Sequence, residues 1–259
     1  MNAGLAGLLA HIFLVATRIA GVMTFAPFFG SLTIPKRVKT GLTVALTLAL
    51  YPVQAAKSPA VPAALTLGDW LLCELGEVML GMLFGWSVQF VFEGMELAGQ
   101  LMSFQFGFSL VNVIDPQTQV ETTVLSTFQE LFAALIFLEL GVHRAVLRGL
   151  ARSFDLLPVG VPRATLGSTE GLLHAATAMW VIGVQMALPV LVATLITDLA
   201  LGFLGRATPQ FPVLFLGISV KSLLGFAVVM GVVVAWPRVL EQHFLHALAV
   251  SEDLLRLLR

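Results

Sequence analysis

Ala98-Gly-Gln-Leu-Met-Ser-Phe-Gln-Phe-Gly-Phe-Ser-Leu-Val-Asn-Val-Ile-Asp-Pro-Gln-Thr-Gln-Val-Glu-Thr-Thr-Val-Leu-Ser126 is the stretch on which the reading of this chain turns. It is dense in Gln, Ser, Thr and Asn and threaded with Phe104, Phe106 and Phe108. Hydrophobic runs long enough for a membrane flank it, and from Lys57 to Arg144 the chain has no lysine or arginine in between. Uncharged polar backbone survives at membrane depth only where protein buries it or water meets it. The segment is therefore expected to line or plug a pore.

Working outward, the 259 residues are 58% hydrophobic and 11% charged, with a mean hydropathy of +0.95. Soluble domains carry about 25% charged residues, so an all-α, polytopic membrane-type protein is expected. The net charge of −1 says little about partners. The single cysteine, Cys73, rules out an intrachain disulfide and reads as a buried small hydrophobe. His11, His143, His174, His243 and His246 have no zinc-type spacing, and no metal or cofactor is expected. No phosphate-binding loop, dinucleotide fingerprint or nucleophile elbow occurs. No cleavable leader is expected, because the first apolar run lacks a basic start and contains Arg18.

A spanning helix needs roughly 20 mostly apolar residues. Six segments are candidates, at about 5–27, 41–56, 65–92, 120–142, 172–204 and 211–236. The second is short. The third opens with Asp69, Glu74 and Glu77 and then reads Gly81-Met-Leu-Phe-Gly85, a spacing that lets another helix approach closely. The fifth carries Pro189, expected to kink it. From about 237 to 259 the chain reads as an exposed or interfacial amphipathic helix. No internal repeat is visible.

Positive charge should mark the cytoplasmic connections. Lys36, Arg37 and Lys39 form one basic connection, and Arg144, Arg148, Arg152 and Arg163 another. Three candidate segments lie between them, which would put the two on opposite sides. The reading preferred here is that one of the three does not span, and that the segments pack as helical hairpins within a protein assembly.

Glu74 and Glu77 lie one helical turn apart, as do Glu93 and Glu96. A proton relay and a solvated helix end or intersubunit salt link are both open, the second being preferred because no basic residue lies nearby in sequence. Asp198 and Lys221 sit deep in adjacent apolar segments. They are expected to pair with each other or with a neighbouring subunit, since a buried charge is costly alone. His11 and His174 read as packing residues.

Several motifs together resemble a known family. They are Arg18-Ile-Ala-Gly21, Pro27-Phe-Phe-Gly-Ser31, Ile34-Pro-Lys-Arg-Val-Lys39, Gly99 to Ser109 running into Val111-Asn-Val-Ile-Asp-Pro-Gln-Thr-Gln119, Asp198-Leu-Ala-Leu-Gly-Phe-Leu-Gly-Arg206, Thr208-Pro-Gln210 and Lys221. The chain is similar to the FliR-type family of type III secretion export-gate subunits, and to its flagellar members in particular, from about residue 8 to about 240. The resemblance implies one export-gate domain over 1–259 and no enzyme activity. It implies a helical hetero-oligomer with FliP- and FliQ-type subunits, beside other export-apparatus membrane proteins and lipid, in the inner membrane at the flagellar basal body. Unfolded flagellar proteins would pass through its pore, and no nucleic acid is expected to bind.

On that reading Ser103, Phe104, Gln105, Phe106, Gly107, Phe108 and Ser109 form a gate or plug loop whose aromatics close the lumen. Packing against partners without a gating role is the alternative. Gly107 would let the loop approach other backbones and move aside. Asn112, Asp115, Pro116 and Gln117 would fix a turn. Asp198, Arg206 and Lys221 would be buried or interface charges. The competing function is an ion-coupled small-molecule transporter, which needs paired broken helices around a midplane site.

Overall fold

The computed structural model describes residues 2–30, 34–55, 66–108, 124–160, 169–208, 210 and 213–257. Every element among them is a helix: α1 (Asn2–Phe25), α2 (Lys36–Ala55), α3 (Leu67–Gln105), α4 (Val124–Glu139), α5 (Val142–Leu156), α6 (Thr169–Ala207), α7 (Val213–Val232) and α8 (Trp236–Leu257). The all-α, membrane-type expectation holds.

A helix lies in each of the six expected segments, and α5 and α8 add two more. Three are long and apolar enough to cross a membrane, at Gly7–Phe25, Leu67–Gln105 and Ala176–Ala207. A bent pair, Leu216–Val232 and Trp236–Asp253 at 66°, would make a fourth. The third expected segment stopped at residue 92, but α3 continues through Glu93 and Glu96 to Gln105. Met, Glu, Leu, Ala and Gln are strong helix formers, so the helix persists where the hydropathy falls. At 39 residues, α3 is about 58 Å long, nearly twice a hydrocarbon core of about 30 Å. The basic connection around Arg144 is also helical, as α5.

Among the described residues between the two basic connections, α3 alone meets the length and composition needed to span.

The chain's contacts divide into two compact units, each assembled from separated stretches of sequence. The first comprises Met1–Phe90, Gly141–Ala176 and Phe244–Arg259. Here α1 buries Leu14, Val15, Arg18, Ile19 and Val22 on one face. It lies against the Gly81 and Gly85 face of α3: a Cβ on Gly81 would fall 2.9 Å from the Gly21 Cα, and one on Gly85 2.9 Å from the Phe25 Cβ. The small-residue spacing thus admits α1, as expected. α5 buries Val142, Val146, Leu150, Ser153 and Phe154, with Gly149 facing the Phe84 ring.

The second unit comprises Val91–Leu140 and Thr177–His243. Gly94 of α3 meets Ile182 of α6, and Gly99 meets the α4 backbone at Ser126. Phe92 and Phe137 pack edge-on at 5.6 Å, as do Phe132 and Trp236. α6 runs through Pro189 as one helix.

The tail is not a free amphipathic helix. α8 buries Trp236, Leu240, Phe244, Ala247 and Ser251, a stripe at helical spacing. In the first unit Ser251 and Ser87 share a hydrogen bond at 2.5 Å, both hydroxyls being buried. Arg152 adds an exposed ion pair to Glu252 at 3.2 Å. The helix expected of the tail forms, and its apolar stripe from Trp236 to Ser251 is buried within the chain.

Candidate gate segment and buried charge sites

The stem of the expected plug belongs to the second unit. Ser103, Phe104 and Gln105 were expected in a loop, yet they form the last turn of α3. Phe106, Gly107 and Phe108 make the turn that ends it. The Phe108 N–H donates to the Ser103 carbonyl and the Gly107 N–H to the Phe104 carbonyl, both at 3.1 Å. Gly107 has φ +81°. This pair of bonds around a left-handed glycine is a Schellman cap, which satisfies carbonyls the helix end would otherwise strand. Gly107 therefore fixes where the helix stops, whereas the sequence suggested a point of movement.

The three phenylalanines have different surroundings. Phe106 is 1% exposed, Phe108 38% and Phe104 69%. The Phe106 ring lies 5.0 Å from that of Phe226 on α7 and 6.0 Å, edge-on, from that of Phe108. It rests on Gly225, where any Cβ would fall inside the ring's envelope. The Ser222 hydroxyl donates to the Phe106 carbonyl at 3.0 Å. Ser109, Asn112, Asp115, Pro116 and Gln117 lie outside the described residues.

One residue before Ser222, Lys221 forms an ion pair with Asp198 of α6. The pairing expected from sequence is made within the chain. It is half-buried: the Lys221 side chain is 20% exposed and that of Asp198 44%. Arg206, expected as a buried or interface charge, is not buried within the chain but exposed in the last turn of α6. A cation there is favoured by the helix dipole, whose C-terminal end is negative.

In the first unit Arg18 is the largest buried charge. It is 1% exposed and its Nε donates to Glu77 at 2.5 Å. Its Nη1 donates to the Ser153 hydroxyl at 3.3 Å and its Nη2 to the Leu157 carbonyl at 3.0 Å. Its guanidinium carbon stands 4.4 Å over the Phe154 ring. One side chain thus ties α1 to α3 and to the C-terminal end of α5. The planar fork of arginine allows this and lysine's point charge does not.

The sequence reading found no basic partner for the acidic pairs. Arg18 supplies one for Glu77 across 59 residues. Glu93 and Glu96 are not at a helix end but within α3, where Gln100 donates to Glu96 at 3.1 Å. His11 is buried and packs edge-on against Tyr51 at 5.7 Å. His174 is exposed, and Cys73 is buried. Among the described residues no group of three or more His, Cys, Asp or Glu could hold a metal.

These features define an all-helical membrane-type protein whose long helix α3 ends in a phenylalanine-bearing turn capped at Gly107. Residues 9–247 match the family model of the bacterial export proteins, family 1, and the chain belongs to that family. It is 28% identical over 210 residues to the flagellar biosynthetic protein FliR of Escherichia coli (strain K12), covering 81% of this chain and 79% of that protein. It is 30% identical over 208 residues to FliR of Pectobacterium carotovorum subsp. carotovorum, covering 80% and 78%. To FliR of Bacillus subtilis (strain 168) it is 28% identical over 217 residues, covering 82% of each. The FliR-type resemblance of the motifs is borne out.

Proposed function

We propose that this chain is a non-enzymatic subunit of the flagellar type III protein export gate in the bacterial inner membrane. With FliP- and FliQ-type subunits it forms the pore that admits unfolded flagellar proteins, and its segment from Ser103 to Ser109 helps to close that pore. The observation that carries the reading is the match to the export family over residues 9–247. The placing of the polar, phenylalanine-bearing segment at the end of α3 supports the gate assignment. Exposed Phe104 and half-exposed Phe108 are available to a lumen, where aromatic rings exclude water and ions by packing and dewetting.

Replacing Phe104, Phe106 and Phe108 together by Ala should make membranes that hold the assembled complex leaky to small ions. The measurement is conductance, with the amount of complex checked in parallel. An assembled complex that stays tight would assign the seal to another subunit.

A further inference from the structure

Phe106 is buried where Phe104 is exposed, and the difference bears on how a gate segment is held. Ser222, Gly225 and Phe226 occupy one face of α7 at helical spacing. Together they form a seat. Gly225 provides the floor, since it alone lacks the Cβ that the Phe106 ring would strike. Phe226 provides a wall at 5.0 Å. The Ser222 hydroxyl holds the Phe106 carbonyl at 3.0 Å, just where the backbone leaves α3. The Schellman cap at Gly107 then fixes the direction of exit.

We infer that Phe106 is the anchor of the gate segment and not part of its seal, and that Ser222, Gly225 and Phe226 of α7 are positioning residues that hold it closed. The Phe108 ring lies edge-on to the anchored ring at 6.0 Å and 6.2 Å from the Phe226 ring. The inference deepens the gate reading and rests on it. It adds a second helix to the closure, which no pattern within residues 98–126 would suggest.

The test is ion conductance of membranes containing this chain with its FliP- and FliQ-type partners, normalised to assembled complex. The Phe104, Phe106 and Phe108 triple Ala variant is the control for the gate reading itself. Gly225→Ala pushes a methyl into the Phe106 ring, and overpacking of this kind should raise the leak about tenfold. Adding Phe106→Leu, a smaller side chain, should return the leak toward the unsubstituted level. Rescue shows that the added methyl acts through the Phe106 ring and not through another contact of α7. A leaky triple variant beside a tight, assembled Gly225→Ala complex overturns the anchor, as does a leak that Phe106→Leu leaves unchanged. A tight triple variant sinks the gate reading and the anchor with it. If Gly225→Ala does not assemble, Ser222→Ala and Phe226→Ala take its place, because they remove the seat without adding bulk. A leak from either then supports the anchor, and tight membranes from both overturn it.

Discussion

Arg18 shows how much a single side chain can organise when its partners are distant in sequence. Its three hydrogen bonds reach Glu77, Ser153 and Leu157, and its flat face covers Phe154. Taking one partner from a buried pair leaves an uncompensated charge, which costs about 3–5 kcal/mol, whereas replacing both by apolar groups is often nearly neutral. Arg18→Ala should therefore lower the thermal stability of the detergent-solubilised protein sharply, and Glu77→Ala should do the same. Arg18→Met combined with Glu77→Leu should recover much of the loss. A double variant as unstable as the sum of the singles would show that the two do not act as a pair.

At the scale of helices, the ion pair between Asp198 and Lys221 fastens α6 to α7. It sits one residue from Ser222, whose hydroxyl holds Phe106. Asp198→Ala leaves the Lys221 ammonium without its carboxylate. The expected result is a reduced yield of assembled complex, with partial recovery on adding Lys221→Leu. Normal assembly with lost export would point instead to proton handling by Asp198.

Helix positions were largely legible in the sequence, and their ends and pairings were not. Apolar runs located α1, α2, α3, α4, α6 and α7, because burial or lipid demands such runs. The end of α3 was misplaced since Glu93, Glu96 and Gln100 lower the hydropathy without breaking the helix. α5 was read only for its arginines, although Val142, Val146, Leu150 and Phe154 trace a clean helical stripe beneath them. The Arg18 and Glu77 pair carries no local signal, because 59 residues separate its members. Lys221 and Asp198 were legible as a pair because each is a lone charge in an apolar run. The gate segment was legible as polar and aromatic, but not its anchor, which depends on a glycine of α7.

For the whole molecule, the decisive feature is apolar surface that the chain does not cover itself. On α6, Trp180, Val184, Leu188, Leu195, Leu199 and Phe203 recur at helical spacing, and each is at least 44% exposed. On α7 and just after it, Leu223, Met230 and Val234 are each at least 75% exposed. Two helices of 39 residues exceed what one bilayer crossing uses. Neighbouring subunits that extend beyond the hydrocarbon core would cover both the length and the surface.

Co-purification tests this most directly. The chain should be expressed alone and together with FliP- and FliQ-type subunits, and extracted in mild detergent. The account expects poor yield and aggregation alone, and a discrete complex of unlike subunits on co-expression. A monodisperse monomer or homo-oligomer with native helicity, unchanged by the presence of the other subunits, would contradict it.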